Sequence, residues 1–175
     1  MPKGESALGV AAGGGWVAVA TNKFLRVFTA SGLQVETSML PGPVVTMAGS
    51  GALLVVIYHK GLPLGESQSL AYLLLDVGGG RELSCGDVCL SSGAELTWLG
   101  LSDDLMVVAM DSTGLLMGLT QSLGWRWMPL LDTLSVSKNK QDRFWPVGVV
   151  TGKLLAANLK GVEEYPTTYP RPVLT

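Results

Sequence analysis

Apolar and polar positions alternate along this chain in short runs, and no segment of helical length holds a 3.6-residue apolar period. The clearest stretch lies between Gly15 and Gly32. There two apolar runs rich in β-branched and aromatic residues are joined by Asn22–Lys23 and closed by Ser31–Gly32, the pattern of a tight antiparallel hairpin. Val17 and Val19 share one face of the first strand, and Leu25 and Val27 share one face of the second. Arg26 falls between the last two, which marks a strand with one face more exposed. An isolated hairpin is marginal in water, so this unit must stack on others like it.

The same rhythm predicts those others. Glu5–Ala12 precedes the hairpin and Leu33–Met39 follows it, and Pro41–Gly42–Pro43 punctuates the chain. A second round runs through Val44–Ala48, Ala52–Tyr58, a looser loop Lys60–Ser69, Leu70–Val77 and Glu82–Leu90. A third comprises Glu95–Leu101, Leu105–Met110, Leu115–Leu119 and Arg126–Leu131, with turns at Ser102–Asp104 and Asp111–Gly114. A fourth begins with Phe144–Val150 and Leu154–Leu159 and meets the proline-rich Tyr165–Pro172. The second strands, aligned on Val19, Val56, Val108 and Ala156, lie roughly 37, 52 and 48 residues apart, the arithmetic of a four-stranded propeller blade. A β-sandwich would also give many short strands but not this four-strand repeat. The expected fold is therefore all-β. It is a partial β-propeller of about three and a half four-stranded antiparallel blades, over 5–40, 43–91, 95–132 and an incomplete 144–175, with residues 1–175 forming a fragment of one domain. Propellers close with roughly four to eight blades, so the chain reads as a piece of one.

Composition supports a packed core: 47% of the 175 residues are hydrophobic and 15% charged, which argues against disorder. A net charge of −2 gives no electrostatic case for nucleic acid, which calls for a basic patch or stripe. The longest apolar runs, Ala52–Tyr58 and Leu70–Leu75, are far short of the roughly 20 residues of a spanning helix, so no membrane partner is expected. Ala7–Gly15 is rich in small residues rather than leucine, and no signal peptide is read there. Two cysteines and no glycosylation sequon favour a reduced cytosolic or nuclear setting.

Candidate chemistry is sparse. His59 is the single histidine and has no matched Cys or Asp partner, so a structural or exposed role is favoured over a triad or metal ligand. Cys85 and Cys89 lack the second pair that zinc requires, which leaves two buried free thiols as the expectation. Gly13–Gly14–Gly15 precedes a strand, whereas a phosphate-cradling loop follows one and opens a helix; it reads as a turn. Asp103–Asp104 and Glu163–Glu164 are adjacent pairs in loops, not carboxylates facing each other across a sugar. Trp16, Trp98, Trp125, Trp127 and Trp145 fall near strand ends or in apolar runs, and wedging between blades is the expected role for at least three. Trp125 and Trp127 flank Arg126 at alternate positions, which raises an interface patch as the other reading. No catalytic, cofactor-binding or metal-binding residues are assigned, and no cofactor or enzyme activity is expected.

Gly15-Trp-Val-Ala-Val-Ala-Thr21 and Leu25-Arg-Val-Phe28 resemble a hairpin of the WD-repeat and HMG-box DNA-binding protein family. That family is also called chromosome transmission fidelity factor four, and the hairpin lies in its second propeller, the SepB domain. Gly42-Pro-Val-Val-Thr-Met-Ala-Gly49 with Tyr58-His59 matches the next stretch. Asp111-Ser-Thr-Gly114, Leu123-Gly124, Trp127, Pro129, Trp145, Val147-Gly148 and Pro170-Arg-Pro172 follow in family order. Trp125, where a small or polar residue is expected, and the Lys60–Ser69 loop depart from the pattern. The resemblance implies a nuclear, homotrimeric, chromatin-associated scaffold of DNA replication. Its partners would be the replicative helicase and DNA polymerase alpha with its primase, bound through a trimerising propeller. The net charge of −2 and the lack of a basic stripe, against the family's name, predict weak or no direct DNA binding by this segment. Two other classes stay open: a propeller interaction module outside replication, and a propeller hydrolase or lyase gathering carboxylates at its axis, against which the low charged content speaks.

Overall fold

A computed structural model describes residues 2–62, 68–122, 124–137, 142–161, 163, 165–169, 171 and 174–175. The middle of the Lys60–Ser69 loop, Leu123, Glu164, Pro170 and Pro172 lie outside the described residues. Contacts divide the chain into two compact units, Met1–Cys89 and Leu90–Thr175.

The first unit holds two sheets. β1 (Ala7–Ala12), β2 (Trp16–Thr21), β3 (Phe24–Thr29) and β4 (Gln34–Met39) form one, and β5 (Val44–Ser50), β6 (Leu53–His59), β7 (Leu70–Asp76) and β8 (Arg81–Asp87) the other. Each is an antiparallel meander in sequence order. The two pack face to face through Ala18, Ala20, Leu25 and Val27 against Leu54 and Val56, all buried, with Leu75 and Val77 partly buried beside them. Ala18 pairs with Val27 and Ala20 with Leu25, so the small residues of β2 and the large ones of β3 share the packed face. Val17 and Val19 lie on the opposite face, half-buried. Alanine on the packed face of β2 lets the neighbouring sheet come close, while the volume that fills the gap comes from β3.

The second unit repeats the plan. β9 (Leu96–Leu101), β10 (Val107–Asp111), β11 (Leu115–Thr120) and β12 (Arg126–Asp132) make a third four-stranded meander, and β13 (Arg143–Val150) pairs with β14 (Lys153–Leu159). Ala157 bridges to Leu174, and Thr175 exchanges backbone hydrogen bonds with Ala156 at 2.9 and 3.1 Å. The core of this unit gathers Val108, Met110 and Leu116 with Val149, and Trp98 packs against it.

Each predicted run within the described residues holds a strand, with ends shifted by one to three residues. Glu5 precedes β1, whose pairing with β2 starts at Ala7, and its carboxylate pairs with Arg26. Leu105 sits in the β9–β10 turn at φ 66°, so β10 starts only at Val107. The sequence predicts no helix, but Thr133–Val136 forms one turn, α1. A single turn is too short to show periodicity. It exists because the Asp132 carboxylate accepts from the backbone N–H of Leu134 (3.0 Å) and Ser135 (3.4 Å), an N-cap.

Candidate functional site

The polar side chains of the hairpin turns are occupied in holding the backbone. Thr21, at the end of β2, accepts at Oγ1 from the N–H groups of Lys23 (3.1 Å) and Phe24 (2.8 Å). Asp111, at the end of β10, is fully buried. Its Oδ1 accepts from Thr113 N (3.0 Å), Thr113 Oγ1 (2.6 Å) and Leu115 N (3.2 Å), and its Oδ2 from Ser91 N (3.1 Å). Burial pushes this carboxyl up, but the bonds from Thr113, Ser91 and Leu115 together outweigh it and hold it below the ordinary aspartate value. A carboxylate held by four donors in this way anchors a turn.

A second recurring arrangement ties neighbouring sheets at their β-hairpin turns. In the first unit the Trp16 indole donates to Gly51 O at 2.9 Å, and Gly14 N donates to the same oxygen at 2.6 Å. Gly13 and Gly49 make room: a Cβ on Gly13 would lie 2.3 Å from the Trp16 ring, and one on Gly49 would lie 2.6 Å from both that ring and Ala12 O. In the second unit Asp103 N donates to Val149 O at 3.2 Å, and Asp103 Oδ2 accepts from Thr151 N (2.8 Å) and Thr151 Oγ1 (3.3 Å). Asp104 instead accepts from Ser102 Oγ. The adjacent aspartates are thus separate turn contacts.

A concavity of about 620 Å³ lies in the second unit. Trp98 of β9, Met110 of β10, the Ser112–Gly114 turn, Leu134 of α1, and Phe144, Trp145 and Pro146 of β13 line it. Trp145 is 38% exposed and meets Tyr165 edge-on with ring centroids 5.6 Å apart. Asp111 and Arg143 are its charged lining residues, and Asp111 is committed to its turn. Such a cleft can seat an apolar or aromatic side chain; it does not pair a nucleophile with a base among the described residues.

His59 is half-buried at the end of β6, where its N–H donates to Pro43 O at 2.9 Å and the backbone of Gly42 lies against its carbonyl. It serves the packing of the Pro41–Pro43 turn. Cys85 and Cys89 are free thiols but are exposed, not buried. The expectation failed because Cys85 lies on β8, an edge strand of its sheet, and Cys89 lies just beyond that strand's end. The Cys85 thiol donates to the Glu82 carboxylate, which pushes the thiol up, with burial adding to it. Among the described residues no three His, Cys, Asp or Glu side chains gather as metal ligands, and no helix is long and apolar enough to cross a membrane. Gly13–Gly15 is the β1–β2 turn, with Gly15 at φ 83°.

Trp16 and Trp98 pack between sheets as expected, and Trp145 lines the cleft. Trp125 and Trp127 do not share a strand face: Trp125 precedes β12 at φ 60°, which breaks the alternation. Arg26 was legible as an exposed-face residue but not as a bound one. Its Nη2 and Nε donate to Glu5 at 2.7 and 2.9 Å, and its guanidinium lies over Phe24 at 5.3 Å. That hydrogen-bonded pairing, supported by charge attraction, holds the Glu5 carboxyl below its ordinary value.

Stacked four-stranded meanders with turn-anchoring polar residues define a β-propeller protein. A structure titled HIRA(644-1017) superposes with a TM-score of 0.58 at 21% identity, covering 76% of this chain and 42% of that one. Kluyveromyces lactis Hsv2 superposes at 0.53 and 9% identity, covering 98% and 50%; both likenesses support the propeller fold. Over residues 1–175 the chain matches the middle region of the minichromosome loss protein, Mcl1, and it belongs to that family. It is 37% identical over 179 residues to the Xenopus laevis WD repeat and HMG-box DNA-binding protein 1, with 99% of this chain covered. To the Schizosaccharomyces pombe minichromosome loss protein 1 it is 30% identical over 162 residues, with 87% covered. The chain spans 16% and 19% of the lengths of these two relatives.

Proposed function

We propose that this chain is part of a non-enzymatic scaffold of the DNA replication machinery in the nucleus. On this reading its sheets are consecutive blades of one propeller, completed by residues of a longer protein. That propeller trimerises and holds the replicative helicase near DNA polymerase alpha and its primase on chromatin. The observation that carries the reading is the whole-chain family match on a fold whose buried polar groups, Thr21 and Asp111 foremost, are consumed in turns. Relatives named for minichromosome loss and for DNA binding support a role in chromosome maintenance. The blades contribute contact surface, and no step of bond-making is assigned to them. Co-sedimentation of the full-length protein with purified helicase and polymerase alpha tests it. A ternary complex that forms only when the protein is added is expected, and failure to bridge the two would overturn the proposal.

A further inference from the structure

Between the outer halves of the two sheets in the first unit lies a notch of about 260 Å³. Leu25 and Val27 of β3 and Leu73, Leu75 and Val77 on and just after β7 form its apolar floor. Its walls carry Glu36 on β4 and Glu82 on β8, both exposed. Among the described residues neither joins an ion pair. Asp76 and Arg81 also border the notch, but they pair with each other at 3.3 Å, and Asp76 additionally accepts from Gly79 N at 2.8 Å. Three carboxylates therefore face one guanidinium, which is already neutralised. Met39, at the end of β4, lines the notch and is 79% exposed. An aliphatic floor, buried at Leu25 and Val27 and half-buried at Leu73, Leu75 and Val77, flanked by carboxylates outside any ion pair selects its occupant by charge as well as by shape.

We infer that this notch is a docking site for an extended peptide segment of a partner protein that places a leucine-like side chain between flanking lysines or arginines. The apolar side chain covers Leu73 and Leu75, and the flanking cations reach Glu36 and Glu82. The mode matches linear-motif recognition, in which pockets for alternate side chains set specificity. It is independent of the replication assignment, since any partner with this motif would fit.

The test titrates a fluorescein-labelled synthetic peptide, Lys-Leu-Lys-Leu-Lys, into the purified full chain by anisotropy, with Glu-Leu-Glu-Leu-Glu in parallel. The basic peptide should bind, the acidic one should not, and raising the salt from about 50 to 300 mM should weaken binding several-fold. E36K combined with E82K should reduce affinity at least tenfold, and Arg81→Ala should raise it. Both replaced positions are exposed on edge strands, so folding is preserved, and unchanged circular dichroism verifies it. Equal binding of the two peptides, no binding of either, or unchanged affinity in the double variant would overturn the inference. So would a change of oligomeric state in that variant, which would make the notch a contact between copies of this chain.

Discussion

Replacing Asp111 by alanine removes the acceptor of three backbone N–H groups, those of Ser91, Thr113 and Leu115, and of the Thr113 hydroxyl. At about 1 kcal/mol or more for each buried donor left without a partner, the loss is about 3–5 kcal/mol. Asp111→Asn is milder. It keeps an oxygen for Thr113 and Leu115 but turns an N–H₂ toward Ser91 N, a loss of about 1–2 kcal/mol. In a chain of this size each kcal/mol moves the melting temperature by about 2–4 °C. Thermal melts followed by circular dichroism should therefore rank wild type above Asn above Ala. The pH dependence has a fixed sign. The folded-state pKa of Asp111 lies below its ordinary value of 3.8, so its contribution is complete above that value. It fades as pH falls through the lower folded-state value. Wild type and D111A should then converge in stability at the acid end, and D111N should lack that component. An alanine variant that melts within about 2 °C of wild type at neutral pH would refute the role of Asp111 as a turn anchor.

The inter-sheet tie in the first unit gives a matched pair of predictions. Trp16→Phe removes the indole bond to Gly51 O and should destabilise by about 1 kcal/mol, while Trp16→Ala should lose about 3–5 kcal/mol, read from urea titrations. Gly13→Ala drives a methyl into the Trp16 ring and Gly51 O and should cost about 1–3 kcal/mol by the same assay; a neutral outcome would mean that the tie is not formed. With a net charge of −2, the chain should show no submicromolar, steeply salt-dependent binding to duplex DNA in a filter or anisotropy titration.

How much of this was legible in the sequence follows from which signals are local. The Asn22–Lys23 hairpin and the strand-turn rhythm are local, so the strand order could be read. Which face of β2 packs was not legible: Ala18 and Ala20 carry little hydrophobic signal beside Val17 and Val19, yet closeness of the next sheet selects the small pair. The turn role of Asp111 depends on Ser91, twenty residues earlier, and no local pattern shows that. The Glu5–Arg26 pair, set by strand pairing within one sheet, and the Asp103–Thr151 contact, set between two sheets, are likewise non-local. Cys85 was misplaced because its exposure depends on β8 being an edge strand, a property of the sheet rather than of the strand.

On the proposed reading these sheets are blades of a propeller completed by residues of a longer protein. The first sheet packs one face on its neighbour, while on its other strands and edges Val10 and Met39 remain 60% and 79% exposed. At about 25 cal/mol per Å², an uncovered blade face on the order of several hundred Å² forgoes several kcal/mol, which is comparable to the whole stability of a typical domain. Size-exclusion chromatography with light scattering, run on this chain and on one extended C-terminally through the remaining blades, tests the claim most directly. The 175-residue chain is expected to be marginally stable and to self-associate, and the extended chain to run as a discrete trimer. A sharply monomeric, cooperatively melting short chain would contradict it and point to a self-contained fold.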